Sequence, residues 1–170
     1  MAKEIEKKYL LNYLPKEALE LGKLLKIEQG YLSEKPTVRV RITEEDNIKS
    51  AYITIKGKKV GISADEFEYS VPLEEGEKML ELSLHTIKKN RYVVPFGELK
   101  IELDEFTSVV NGLLVAEIEI PNEAYEIKMP KWLKGAVNKE VSKDNMYSNV
   151  NLSKNELKIS KKVKTSKKAI

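Results

Sequence analysis

Five short segments of this chain repeat one design: two like charges at positions i and i+2, set against apolar residues on alternate positions. They are Glu4/Glu6, Arg39/Arg41, Glu66/Glu68, Lys89/Arg91 and Glu117/Glu119. In a β-strand, residues two apart share a face and lie only ~7 Å apart. Like charges that close repel, so a solvated face would more readily mix signs or use Thr, Ser and Gln. One such pair is ordinary surface charge. Five pairs, joined by Lys8 and Lys56, constrain the fold far more. A flat sheet would leave the charges in water, whereas a closed barrel with these faces inward becomes a polar tunnel. About eight strands can enclose a small-ligand interior.

The chain supplies that number. Strands are expected over Glu4–Leu11, from Gln29-Gly30-Tyr31-Leu32 onward, and over Thr37–Ile42, Ala51–Lys56 and Asp65–Tyr69. Three more are expected over Ile87–Val94, Leu99–Phe106 and Leu113–Ile120. A helix is expected from Pro15, with Ala18, Leu21, Leu24 and Leu25 as its apolar stripe. A second helix is expected over Pro72–Leu84, with Met79, Leu80 and Leu84 on one side. Pro95-Phe96-Gly97-Glu98 reads as a hairpin loop. Beyond Pro121 short helical pieces are expected around Glu123–Tyr125 and Lys131–Leu133, then from Asp144 to Leu152. No βαβ rhythm appears, so the expected class is α+β: an eight-stranded antiparallel closed β-barrel with helices packed outside. In the tunnel arrangement Ile5 and Tyr9 face outward, beneath the two early helices.

Composition narrows the chemistry. The chain has 170 residues, no cysteine and one histidine. Disulfides, thiolate catalysis and Cys-ligated zinc are excluded, and a lone His85, read as a loop residue, supports neither a triad nor a zinc site. No segment reads as a membrane span or a signal peptide, and the lack of cysteine suits a cytoplasmic setting. The net charge of +3 looks like a nucleic-acid signal, but its origin argues otherwise. Six of the 30 basic residues follow Glu156, so the rest of the chain carries fewer basic residues than its 27 acidic ones. Residues 158–170 therefore read as a basic tail on a domain spanning 1–157, and nucleic acid is not the expected partner.

Charges inside a low-dielectric wall must be compensated. Rows of Arg and Lys suit an anion with many oxygens, and the Arg fork matches phosphate. Rows of carboxylates without His or Cys suit a hard divalent cation such as Mg²⁺ or Mn²⁺. Together they describe a metal–polyphosphate site. No Walker loop or Rossmann glycine fingerprint is present, so side chains would hold the phosphates.

Glu4-Ile5-Glu6-Lys7-Lys8 resembles the Glu-x-Glu-x-Lys signature of the CYTH family, the triphosphate tunnel metalloenzymes. Val38-Arg39-Val40-Arg41, Thr54-Ile55-Lys56, Glu66-Phe67-Glu68, Lys89-Asn90-Arg91-Tyr92, Glu102-Leu103-Asp104 and Glu117-Ile118-Glu119 resemble further family blocks, in family order. The resemblance implies that Glu4, Glu6, Glu117 and Glu119 hold a divalent metal. It implies that Lys8, Arg39, Arg41, Lys56, Lys89 and Arg91 grip a triphosphate. Glu66, Glu68 and Asp104 match positions that help a second metal or orient water. Tyr31 matches a tyrosine that pairs with a lysine, here Lys89, in acid/base chemistry. The short bacterial members are inorganic tripolyphosphatases. One departure is visible: Asn145 and Met146 stand where the family's closing block often carries basic residues.

Two other readings remain open at this stage. One is an enzyme on an organic triphosphate (a nucleoside or thiamine triphosphatase, or an adenylate cyclase), which needs an aromatic lip; Tyr9, Tyr52, Phe106 and Trp132 are the candidates. The other is a non-catalytic polyphosphate-binding module tethered by the lysine tail. Oligomeric state is left open, with a homodimer among the options.

Overall fold

In the computed structural model the described residues are 3–154, and the expected tail at 158–170 and the boundary at 157 lie outside them. The strands are β1 (Lys3–Leu11), β2 (Lys23–Glu34), β3 (Thr37–Glu45), β4 (Ile48–Lys56), β5 (Ser63–Val71), β6 (His85–Phe96), β7 (Leu99–Phe106), β8 (Leu114–Glu119) and β9 (Val137–Glu140). The helices are α1 (Lys16–Leu21), α2 (Leu73–Glu81), α3 (Lys131–Lys134) and α4 (Asn149–Ser153). The sheet runs β5-β4-β3-β2-β6-β7-β8-β1, and an additional β1–β5 pairing closes it into the expected eight-stranded antiparallel barrel.

β1 is the closing strand, and one of its edges is shared. Ile5 O accepts from Ile120 N (2.8 Å) on the β8 side. On the opposite edge Glu6 N donates to Ile62 O (3.3 Å), and Lys8 O accepts from Val141 N (2.8 Å). β5 thus occupies this edge at Lys3–Ile5 and β9 at Tyr9–Leu11.

The register fixes the faces, because residues directly opposite in an antiparallel pair share a side. Glu6 faces Glu119, Lys8 faces Glu117, Arg91 faces Asp104, and Lys56 faces Glu66. All five sorted pairs therefore line the lumen. Outward residues form a core that includes Tyr9, Ala18, Ile101, Leu103, Ala116, Ile118, Leu133 and Ala136. A second apolar cluster sits inside one end of the barrel. Leu10, Tyr31, Ile87, Phe106 and Val115 continue the inward faces of their strands and meet Val141 and Leu152. That end is partly plugged by α4.

The structure departs from the sequence reading in several places. The first helix stops at Leu21, so Leu24 and Leu25 belong to β2 rather than to a helical stripe. Gly22 is extended there, and the ladder from Lys23↔Val93 to Tyr31↔His85 overrides the local periodicity. The expected helical piece at Glu123–Tyr125 is a turn. β9 went unanticipated because Val137-Asn138-Lys139-Glu140 has no alternating pattern. His85 is the first residue of β6 rather than a loop residue. Pro95 and Phe96 are strand residues, and the hairpin turns on Gly97-Glu98, where Gly97 has φ +60°. Tyr9 and Ile5 pack with α1 and α3, not with both early helices, since α2 lies over β3 and β4. Among the described residues no helix is long and apolar enough to cross a membrane.

α2 can lie this close because Gly76 has no side chain: a Cβ there would collide with Ala51 Cβ and press Ile42 Cδ1 at 3.2 Å. Alanine normally gains ~1 kcal/mol over glycine in a helix. Overpacking here costs about 1–3 kcal/mol, so Gly76→Ala is expected to lower stability in urea unfolding. An increase would show that α2 shifts without penalty.

Candidate active site

The lumen is polarised across its width. β4, β3, β2 and β6 are consecutive and carry Lys56, Arg39, Arg41, Lys89 and Arg91 on their inward faces. β7, β8, β1 and β5 complete the ring and carry Glu102, Asp104, Glu117, Glu119, Glu4, Glu6, Glu66 and Glu68, with Lys8 as the exception. One arc is basic and the other is mostly acidic.

Where the arcs meet at β6 and β7, the charges neutralise one another. Arg91 donates to both carboxylate oxygens of Asp104 (2.7 and 2.8 Å) and to Glu117 (3.2 Å), and lies 3.3 Å from Glu102. Lys89 Nζ is 2.8 Å from Asp104 Oδ2 and donates to Asn149 Oδ1 at 3.0 Å. Asp104 is fully buried. Burial alone would raise its pKa, but Arg91 and Lys89 hold it below the usual carboxylate range. Glu117 is likewise held well below that range: Lys8 and Arg91 overcome its burial. Lys89 goes the other way, since burial and Arg91 bring it down to about 7 despite Asp104.

At β2 and β3 the compensation is incomplete. Arg39 is buried, its Nε has no hydrogen-bond partner, and its Nη2 reaches Glu68 only at 3.9 Å. Arg41 gives its Nε to Gln29 Oε1 (2.8 Å) and is pulled down to about 9 by burial and by the charges of Arg39 and Arg91. Gln29 Nε2 in turn donates to Tyr31 Oη at 2.8 Å, which orients the phenol. A cavity of about 910 Å³ opens beside this group, lined by Glu4, Glu6, Lys8, Tyr31, Arg39 and Lys56, by Lys58 and Lys59 of the following loop, and by residues of the Asn145–Lys154 segment. Crowded cations, an orphaned guanidinium N–H and an adjoining cavity suit a polyanion.

The carboxylates lean the other way. Glu4 is tied to Lys56 at 2.6 Å, and Lys56 also lies 3.3 Å from Glu66. Burial works against the Lys56 charge, but Glu4 and Glu6 raise its pKa overall. Glu6 is pushed up to about 8 by burial, Glu117 and Glu4, so at neutral pH it keeps a proton and hydrogen-bonds Glu117. Glu119 is raised by partial burial and by Glu4. Among the described residues no three of these groups stand in a ready-made metal cage. Their chemistry nevertheless fits a hard divalent cation: oxygen donors on one wall, repelling one another, with a retained proton where a cation could sit. Glu66 Oε2 is buried without a hydrogen bond, and Glu68 accepts from Thr54 Oγ1 at 2.8 Å.

Gln29, Thr54, Glu102 and Asn149 stand in segments that resemble family blocks but were given no role in the site, and Lys59 was not singled out at all. Gln29 and Glu102 could have been found by extending the i, i+2 rule from Tyr31 and Asp104. Lys59 lies outside any alternating segment, so only the tertiary fold brings it in.

A closed antiparallel barrel with a basic arc facing a mostly acidic one defines a charged tunnel that suits a polyanion. Residues 2–148 match the CYTH domain model, and the chain belongs to that family. It is 38% identical over 162 residues to the inorganic triphosphatase of Acetivibrio thermocellus, covering 93% of this chain and 97% of that protein. The solved structure of the inorganic triphosphatase NE1496 shares the fold with a TM-score of 0.58 and 23% identity, over 90% of this chain and 95% of that one. A protein from Pyrococcus horikoshii aligns at a TM-score of 0.53 and 19% identity, over 71% and 80% of the two chains.

The Glu6 proton has a consequence for stability. Between pH 5 and 7 the folded protein retains a proton that an unfolded carboxyl, at its ordinary 4.5, has released. The native state then binds more protons, so stability falls as pH rises through this window. Glu119 acts in the same direction, while Glu117 and Asp104 contribute below it and Lys89 above it. With chelator present, the melting temperature is expected to fall from pH 5 to 7, and Glu6→Gln to flatten that slope. Identical slopes in both proteins would refute the shared proton.

Proposed function

We propose that this protein hydrolyses inorganic tripolyphosphate to diphosphate and phosphate with the help of a divalent cation, Mg²⁺ or Mn²⁺. The observation that carries the reading is the basic arc around Arg39, buried and under-partnered beside a cavity whose opposite wall is carboxylate. Family membership and the 38% identical inorganic triphosphatase support it.

Glu4, Glu6 and Glu119, with Glu117 beside them, would hold the metal. When bound, the metal neutralises phosphate oxygens and polarises the phosphorus for attack. Lys8, Arg39, Arg41 and Lys56 bind the phosphate oxygens and fix the chain in the tunnel. Lys89 and Arg91 border the same lumen, and Asp104 acts by holding both cations in place. Water attacks a terminal phosphorus, the bond to the bridging oxygen breaks, and diphosphate leaves. The proton lost by water can pass to a carboxylate such as Glu66 or Glu68, while Lys89, buried against Asp104, acts by holding the tunnel wall. Tyr31, with Gln29 donating to its oxygen, is poised to donate its own proton toward a phosphate oxygen.

The aromatic lip that an organic triphosphate would need is not assembled. Tyr9 and Trp132 pack in the outer core and Phe106 in the plug; Tyr52 stands opposite Arg41 on the inward face of β4 but outside the cavity lining, where among the described residues Tyr31 is the aromatic. Phosphate release should therefore be fastest from tripolyphosphate in a panel with ATP, thiamine triphosphate and pyrophosphate, each with Mg²⁺, Mn²⁺ and Ca²⁺. Glu4→Gln and Arg39→Ala are expected to lose about 100-fold or more in kcat/KM, with cooperative melting retained. No turnover of any substrate with any metal would overturn the reading, and loss of fold in both variants would make these charges structural.

A further inference from the structure

Asn145, Ser148, Asn149 and Asn151 of the C-terminal segment line the cavity with neutral side chains, and Lys154 of the same segment is tied to Glu34 at 2.7 Å. A cation nevertheless reaches that side of the mouth from elsewhere. Lys59, on the loop between β4 and β5, donates from Nζ to Ser142 O at 2.7 Å, three residues before Asn145. Ser142 is itself fastened to β1, since its hydroxyl accepts from Lys8 N at 2.9 Å.

The loop is pinned at both ends. Gly57 N donates to Asp65 O (3.0 Å), Val60 and Ser63 exchange hydrogen bonds at 2.8 and 3.0 Å, and Gly61 turns the chain at φ +64°. Lys59 lies on an exposed stretch, but its ammonium is drawn inward. Partial burial and the charges of Lys8 and Lys56 lower its pKa, with Glu6 opposing. Among the described residues its other two N–H groups have no protein acceptor. Surface lysines ordinarily extend into water, because fixing a long side chain costs rotamer entropy. Here the side chain is instead fixed over a cavity already lined by Lys8, Arg39 and Lys56. Lys56 and Lys8 already have Glu4 (2.6 Å) and Glu117 (3.9 Å) beside them, but Arg39 Nε has no partner, so the enlarged cluster favours an added anion.

We propose that Lys59 is a specificity-determining residue that contacts the outermost phosphate of the chain at the tunnel mouth. This rests on the tripolyphosphate reading above and adds to it a sensor of chain length. Arg41 does not line the cavity and stands opposite Gln29, one pleat further in than Arg39 opposite Tyr31, so a two-phosphate ligand bound between Arg41 and Arg39 falls short of the mouth. Tripolyphosphate reaches it.

The test compares full-length wild type with Lys59→Gln, Lys59→Arg and Lys49→Gln, the last an exposed lysine of β4 that does not line the cavity. Calorimetry in chelator measures the affinity for tripolyphosphate and for pyrophosphate, and steady-state assays with Mg²⁺ give kcat and KM. Lys59→Gln is expected to weaken tripolyphosphate binding about tenfold and to raise KM by a similar factor. kcat should stay within about threefold, and pyrophosphate affinity within about twofold. Lys59→Arg should restore most of the loss, and Lys49→Gln should be silent. Unchanged tripolyphosphate binding in Lys59→Gln, or equal weakening for both ligands, overturns the proposal. Selective weakening in a wild type that binds tripolyphosphate without cleaving it would support the contact while refuting the hydrolase reading.

Discussion

The barrel depends on a layer of charge buried where charge is expensive. Isolated from partners, an ion in a low-dielectric interior costs several kcal/mol even after relaxation. Asp104 makes the layer possible by meeting Arg91 with both oxygens and Lys89 with one of them. The strands around it can then turn polar faces inward and leave their apolar faces for an outer core. This inversion of the usual inside and outside makes a chain of ordinary composition into a tunnel. It also explains why the charges are sorted by strand: the two signs meet across the lumen and between neighbouring strands, not along one strand.

Compensation is deliberately uneven. At β6–β7 nearly every charge has a protein partner, and this part behaves as scaffold. At β3 and along β1, the guanidinium of Arg39 and the carboxyl of Glu6 are left with a missing partner and a retained proton, respectively. These incompletely paired groups face the cavity, which is where binding energy can be gained without first breaking strong internal ion pairs.

Much of this was legible in the sequence, and for one reason. Period-two alternation is dictated by the pleat, so Glu4/Glu6 or Arg39/Arg41 declare their common face wherever the strand goes. The count of eight barrel strands and the closed ring followed from that pattern. What failed was governed by non-local pairing. Leu24 and Leu25 continue a helical stripe, but a long ladder with β6 claims them. Val137–Glu140 lacks any pattern, yet half of one edge of β1 needs a partner there. Ion-pair partners such as Lys56 and Glu4, 52 positions apart, are likewise invisible until the barrel closes. The division between scaffold and ligand-seeking charges was not legible at all, because it depends on distances rather than on residue type.

The shared edge of β1 also bears on how the protein comes into being. β1 finds its partners in β5, β8 and β9, and Ser142 caps its Lys8 amide across a separation of 134 residues. During ribosomal synthesis the first strand of the barrel must therefore wait for its last. The central hairpins, whose contacts are local, can assemble in the meantime. Until the C-terminal segment arrives, the nascent chain presents an open seam with unpaired strand edges, the kind of intermediate that chaperones shield. Zipping that seam completes the ring and seats α4 in its end in the same event, so the charged lumen acquires its final form only once β8, β9 and α4 have been made.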